Sequence, residues 1–344
     1  MPDAVAVIGA GSWGTTLASL ACGRSRTTLW AKREELARHI NTHNENPDYL
    51  PGVWLPPALR CTSSLGEAVD GASLVVMAVP SHGFRDVFRR VAPHLPANAS
   101  ILSVVKGLEQ GSSLRMTEVV DDVVPGRCRG VLSGPNLAKE IAAGQPAATV
   151  VAMTDDVAGR FVQDLLNGPT LRVYTNPDVL GCEIAGATKN VLAIAAGMSS
   201  GLGLGDSSLA ALITRGLTEL GRLVMALGGD RLTVAGLAGV GDLVATCTSP
   251  MSRNRRLGEE LGRGRALDDI VANMQMVAEG VKTARPLLDI AGSNGVEMPI
   301  AEQVVAVLDR RHSAADAIPA LMGRSAKAEF DEADRQQGRG RQFR

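Results

Sequence analysis

Residues 5–14 read VAVIGAGSWG, and the fold turns on how this stretch is understood. A short apolar run ending at Ile8 leads into Gly9, Gly11 and Gly14, spaced GxGxxG, and the segment WGTTLASLAC (13–22) then has the composition of a helix. Strand, glycine turn and helix in that order suit a dinucleotide. The first glycine permits the tight turn, the second lets backbone approach a pyrophosphate, and the third allows close packing of helix on strand. The amides at the helix start face the phosphates, and Ser12 and Trp13 line the turn. Glycine-rich turns also join strands to helices for geometric reasons alone, so the motif gains its weight from standing at the first strand–helix junction of a longer pattern.

That pattern runs from Ala4 to about Tyr174. The apolar runs AVAVIG, TTLW, SLVVMAV, SILSVV, GVLSG, ATVVAM and LRVY alternate with helix-length segments, which predicts an α/β fold with a Rossmann-like, mostly parallel sheet and helices on both faces. Beyond Asn176 and Pro177 the alternation gives way to long periodic segments such as SSLAALITRGLTELGRLVMALGG and AEQVVAVLDRR, the signature of an all-α half. A chain of 344 residues exceeds the usual single domain. The expectation is therefore an NAD(P)-binding Rossmann domain over 1–180, a helical substrate and catalytic domain over 181–330, and a mobile polar tail over 331–344.

The totals narrow the ligand. Lys and Arg number 35 against 36 Asp and Glu, a net charge of −1, which lacks the electrostatic footprint of a nucleic-acid or anionic-membrane binder. Five widely spaced cysteines form no CxxC pair, arguing against both a disulfide framework and a zinc site. The five histidines show no metal-ligand spacing, and HExxH, EF-hand, P-loop and GxSxG motifs are absent. No basic leader precedes the first strand, and no apolar run reaches the roughly 18 residues of a membrane span. A cytoplasmic protein acting on a small molecule, without a metal, is the expectation, and the apolar helical half points to a homodimer.

Ligands of doubly wound sheets sit beyond the carboxyl ends of the strands. After the second strand an NAD enzyme usually presents a carboxylate to the ribose hydroxyls, but here Ala31, Lys32 and Arg33 follow Trp30, two cations that suit a 2′-phosphate; alternatively they merely open a solvated helix. NADPH is favoured over NADH on this ground. Ser81 follows a strand and reads as a helix cap, with His82 exposed. Lys106, Ser133, Gly134, Pro135 and Asn136 stand at the ends of later strands, over the predicted crevice.

GATKNVLAIAAG (186–197) places Lys189 and Asn190 in a small apolar setting, with no other basic residue between Arg172 and Arg215. On a helix, Leu192, Ala193, Ala196 and Gly197 share the lysine's side, small enough for tight packing. Two readings compete: a lysine that snorkels its ammonium to water, and a buried ammonium that is costly unless paired and so marks a functional site. Further on, GLAGVGDLVATCTSPMSRNRRLG (236–258) combines a glycine-rich turn, Asp242, Thr246, Ser252, Arg253 and Asn254; a hydroxyl and a guanidinium ahead of a helix make a phosphate receptor.

Taken together, GAGSWG, VVKGLE, SGPNLAKE, GATKNVLAIAAGM, ALITRGL, GVGDLVATCTSPMSRNRRLG and VAEGVKTA resemble, in order from Val5 to about Leu321, the bacterial NAD(P)-dependent glycerol-3-phosphate dehydrogenases. The resemblance implies reversible reduction of dihydroxyacetone phosphate to sn-glycerol 3-phosphate, a phospholipid precursor, with the lysine of the KN pair, Lys189, as proton donor and acceptor. It implies substrate contacts from Lys106, Gly134, Asn136, Lys189, Asp242, Ser252, Arg253 and Asn254. Cofactor contacts are implied for Ser12, Trp13, Lys32, Arg33, Lys106, Ala138, Arg253, Val277 and Glu279, beside Gly9, Gly11 and Gly14. Relatives often carry threonine or serine after SGP, where this chain has Asn136. A dehydrogenase of the 6-phosphogluconate type and an NADPH-sensing regulator without turnover are the competing readings, since fold alone does not fix function.

Overall fold

The computed structural model describes residues 4–274, 278–326, 328 and 329. Eight strands, β1 (Ala4–Ile8), β2 (Arg26–Trp30), β3 (Arg60–Thr62), β4 (Ala72–Met77), β5 (Ser100–Ser103), β6 (Arg129–Ser133), β7 (Ala147–Met153) and β8 (Leu171–Asn176), form one sheet in the order β3-β2-β1-β4-β5-β6-β7-β8. Every pairing is parallel except β6 with β7. Between the strands run α1 (Ser12–Cys22), α2 (Glu34–His43), α3 (Leu65–Val69), α4 (Ser81–Val91), α5 (Met116–Val123), α6 (Ala138–Ala142) and α7 (Asp156–Leu166).

The central strands are apolar at successive positions because both faces are covered. Val5 and Val7 enter one core cluster with Leu74 and Val76, while Ala6 and Ile8 enter another with Val75 and Met77. Opposite faces at alternate residues follow from the two-residue period of a strand. The expected α/β architecture is therefore present, with one strand unforeseen: β3 is three residues, Arg-Cys-Thr, too short and polar to carry an alternating signal.

After β8 come α8 (Val179–Gly201), α9 (Asp206–Ala226), α10 (Arg231–Ala235), α11 (Asp242–Thr248), α12 (Arg253–Gly262), α13 (Leu267–Ala272), α14 (Glu279–Ser293), α15 (Pro299–Leu308) and α16 (Ala317–Met322). The KN segment is helical, as expected, inside a helix that begins ten residues earlier. α8 is also a correction: its 23 residues are by length and composition apolar enough to cross a membrane, whereas no such run was expected. Its most apolar window is 89% buried within the protein, the position of a core helix.

Glycines explain how α8 accommodates its neighbour. A Cβ on Gly197 would overlap the Arg255 carbonyl oxygen, and one on Gly258 would overlap that of Ile194; Gly201 and Gly262 face each other in the same way one turn on. The backbones of α8 and α12 thus touch directly, and this close crossing carries the start of α12 alongside Asn190. The polar tail 331–344 lies outside the described residues.

Candidate active site

The glycine turn has the geometry its spacing predicts. Gly9 takes φ +125°, which side-chain-bearing residues rarely adopt, and a Cβ there would lie 2.6 Å from the Ala78 carbonyl oxygen. A Cβ on Gly14 would overlap the Gly9 carbonyl oxygen, whereas one on Gly11 would meet nothing within 4 Å. Two glycines are thus required by the protein's own packing, while Gly11 leaves backbone bare toward open space. α1 begins at Ser12 with no side chain capping it, so its N-terminal amides are available to an anion. These features fit a dinucleotide pyrophosphate.

Around the turn, Ser12 Oγ donates to the Tyr49 carbonyl, and Asn46 Nδ2 donates to the Ala10 carbonyl at 2.9 Å. Trp13 Nε1 is buried without a partner among the described residues. Ala138 opens α6, and its carbonyl accepts from Thr16 Oγ1 of α1 at 3.3 Å, which sets it beside the turn. Lys32 and Arg33 lie exposed just past β2 as expected, but Arg33 is ion-paired with Asp48. Val277 lies outside the described residues.

Across the sheet's carboxyl edge the second cluster forms. Lys189 is 7% exposed. Its Nζ donates to Asp242 Oδ1 and Thr246 Oγ1, each at 2.7 Å, so the ammonium is held inside and does not snorkel outward. Lys106, just beyond β5, donates from Nζ to Asp242 Oδ2 and to the Gly134 carbonyl, each at 2.6 Å. One carboxylate therefore bridges an ammonium from the sheet and one from the helical half. Asp242 is the first residue of α11, and a π-helical turn, Leu237–Gly241, runs into it without a break.

The charges tune one another. Burial pushes the Lys106 ammonium down, and nearby Lys189 pushes the same way against the attraction of Asp242; the result is about 8 instead of 10.5. For Asp242, burial alone would raise the carboxyl, but the two ammonium groups outweigh it and hold it below the ordinary value. Asp242 accordingly remains a carboxylate at neutral pH.

The remaining residues divide into those facing the crevice and those bracing it. Gly134 has φ +135°, and its Cβ would press on Thr149 Cα at 3.1 Å. Asn136 Nδ2 donates to Thr149 Oγ1 at 3.1 Å, leaving Asn136 Oδ1 buried and without a partner among the described residues, as is Ser133 Oγ beside Gly186 of α8. Asn254 is committed within the protein: its Nδ2 donates to Asn190 Oδ1 and its Oδ1 accepts from Gly280 N, both at 2.9 Å. Asn190 Nδ2 in turn donates to the Lys106 carbonyl at 2.7 Å. Ser252 Oγ accepts from Arg255 N and so caps α12, while Arg253 begins that helix with its side chain exposed.

Three residues were missed or misjudged in sequence. Thr246, four residues after Asp242 on one helix, shares that carboxylate's face, and no role follows for it from the sequence alone. Asn190 ties the Lys106 loop to α8 and α12, a contact invisible in local spacing. Ser81 is a correction: it is the first residue of α4, not its cap, and its hydroxyl donates across the molecule to Glu279. The cysteines are all free thiols, and no cluster suited to a metal ion exists among the described residues.

The comparisons agree over most of the chain. The family model described as NAD-dependent glycerol-3-phosphate dehydrogenase N-terminus matches residues 4–158, and its C-terminal counterpart matches residues 178–319. Glycerol-3-phosphate dehydrogenase (NAD(P)+) 2 of Sphingopyxis alaskensis is 50% identical over 318 residues, 92% of this chain and 96% of that protein. The enzyme of the same name from Corynebacterium glutamicum strain R is 52% identical over 330 residues, covering 94% of this chain and 99% of that one. The crystal structure of glycerol-3-phosphate dehydrogenase from Coxiella burnetii superposes with a TM-score of 0.90 at 37% identity, covering 94% of this chain and 99% of that one. With a two-part family model and half-identical relatives spanning nearly its full length, the chain belongs to the NAD-dependent glycerol-3-phosphate dehydrogenase family.

Proposed function

We propose that this protein reversibly reduces dihydroxyacetone phosphate to sn-glycerol 3-phosphate with NADPH or NADH, with Lys189 as the proton donor and acceptor. The observation that carries this reading is the buried pairing of Lys189 and Lys106 on Asp242, at the carboxyl edge of a sheet whose glycine turn fits a pyrophosphate. Such a cluster has no structural need of two lysines for one carboxylate; a second anion, the substrate phosphate, completes the balance. The division of the chain near residue 180 belongs to the same reading, the sheet half holding cofactor and the helical half completing the substrate site. So does a homodimer in the cytoplasm: Leu209, Leu212 and Ile213 of α9 are only half-buried.

Bound nicotinamide supplies or accepts the hydride. Gly9, Gly11 and Gly14, with the amides that open α1, hold its pyrophosphate; Ser12, Trp13, Ala138 and Glu279 flank it. Lys189 Nζ gives a proton to the substrate's carbonyl oxygen during reduction and takes one from the hydroxyl during oxidation. Asp242 and Thr246 fix the direction of that ammonium. Arg253, Lys106 and the α12 amides near Ser252 and Asn254 receive the phosphate, and Gly134 and Asn136 stand beside the crevice.

The defining assay is consumption of NADPH on adding dihydroxyacetone phosphate, with 6-phosphogluconate and other hydroxy acids as controls. Absence of ketone-dependent oxidation with either nicotinamide would remove the reading. Discrimination between cofactors is expected to rest on Lys32 and Arg33. Replacing both with alanine should raise the KM for NADPH about 100-fold and leave that for NADH within twofold, since each of the two lost charge-assisted contacts to a phosphate is worth about 1.5 kcal/mol or more. Equal effects on the two cofactors would show that these cations do not read the 2′-phosphate.

Lys106 sets a pH limit. Its ammonium is charged below about 8 and lost above, so kcat/KM for dihydroxyacetone phosphate should fall as pH rises through that value in free enzyme, with kcat less affected because bound phosphate favours the charged form. A profile flat from pH 7 to 9.5 would take Lys106 out of substrate capture.

A further inference from the structure

We propose that Ser81 is a positioning residue for the cofactor, holding Glu279 in place across the seam between the two halves. The proposal rests on Glu279 flanking the cofactor, as in the function just described. Ser81 is 2% exposed and opens α4, directly after the N-cap Pro80. Its Oγ donates to Glu279 Oε2 at 2.5 Å, and its backbone N–H points to Glu279 Oε1 at 3.4 Å, from a residue 198 positions away at the start of α14.

The geometry is that of a helix cap supplied in trans. α4 has Pro80 at its N-cap, no side-chain cap and no acidic residue in its first turn; Gly83 N–H donates to the Pro80 carbonyl at 3.0 Å, but no side chain of its own accepts from the amides that open the helix. The Glu279 carboxylate takes that place, where the dipole of α4 favours it. It also lies against Gly107, where a Cβ would be only 3.1 Å from Oε2; any side chain at position 107 would crowd the carboxylate from the turn that follows Lys106. Glu279 is thus fixed at the carboxyl ends of β4 and β5, beside the crevice where a doubly wound sheet binds its dinucleotide.

A competing pull exists. Arg253 and Glu279 attract each other, so without the Ser81 hydroxyl the carboxylate is free to turn from α4 toward that guanidinium. A serine placed for capping alone would bond its own helix; this one spends its hydroxyl on the opposite half.

The test compares Ser81→Ala and Ser81→Thr with wild type, reading NADPH binding by quenching of intrinsic fluorescence without substrate, together with kcat, KM and Tm. Ser81→Ala is expected to raise the Kd for NADPH about tenfold, as loss of one hydrogen bond to a charged group does. kcat at saturating NADPH should stay within twofold, Tm within a few degrees, and Ser81→Thr should restore most of the affinity. In the Glu279→Gln background, Ser81→Ala should have a smaller effect than in wild type. An unchanged Kd, a threonine variant as weak as alanine, or parallel losses of kcat and Tm would each overturn the proposal. Since the binding measurement uses no dihydroxyacetone phosphate, it stands apart from the turnover assay: a wild-type protein that binds NADPH without consuming it fails the functional reading and leaves Ser81 still measurable.

Discussion

Replacing Lys189 with alanine is expected to lower turnover about 10²- to 10⁴-fold, the usual contribution of a positioned proton donor, while the Kd for NADPH stays near that of wild type. The separation follows from where the parts lie. The glycine turn and the start of α1 belong to the sheet half, whereas Lys189 sits midway along α8 with its Nζ engaged only by Asp242 and Thr246 among the described residues. Removing the side chain leaves Lys106 on the same carboxylate, so Asp242 is not stranded and the fold should hold. A primary amine small enough to enter the vacated space, such as methylamine, should recover part of the lost rate, because it returns an ammonium to the same carboxylate. Turnover at the wild-type level would exclude Lys189 from the chemistry. A variant that loses NADPH binding and thermal stability together would instead make the lysine a structural post.

The position of that lysine also shows what was legible in the sequence. Glycine spacing and the alternation of apolar runs define the sheet half because both signals are local: a turn of three glycines and strands buried on two faces announce themselves within ten residues. The oddity of Lys189 was equally local, a cation among small apolar neighbours. What it pairs with was not, since Asp242 lies 53 residues further on, and Lys106, which shares that carboxylate, lies 83 earlier. The bracing chain from the Lys106 carbonyl through Asn190 and Asn254 to Gly280 joins four separate elements, and it follows from the backbone contact of α8 with α12, which glycines permit but spacing alone does not assign. The same limit hid the trans cap on α4. Ser81 has the local character of an N-cap, and only the arrival of α14 shows that its partner lies elsewhere. β3 escaped notice for the opposite reason, having too few residues to carry a period.

The second large effect is expected for Asp242→Asn, and it should depend on pH. Asp242 is 1% exposed and is the shared counter-ion of two ammonium groups. Neutralising it leaves both in low dielectric with an amide for a partner, and removing one member of a buried ion pair costs about 3–5 kcal/mol. Turnover should fall by about 10²-fold or more, since Lys189 loses the group that directs it. The sign of the pH dependence follows from linkage. The Lys106 ammonium titrates at about 8 in the folded wild type against an ordinary 10.5, so between those values the unfolded chain binds more protons and stability rises with pH on this group's account. Asp242 is the attraction that holds the folded value up to 8; its loss drives the value lower and extends the window of rising stability downward. Thermal melts of the variant should therefore gain several degrees between pH 6 and 8, where Lys106 contributes no such rise in wild type. A Tm deficit that is large and constant across that range would mean the lysines keep their charge by finding other partners. A deficit near zero would mean that the carboxylate is not what holds the two halves of this site together.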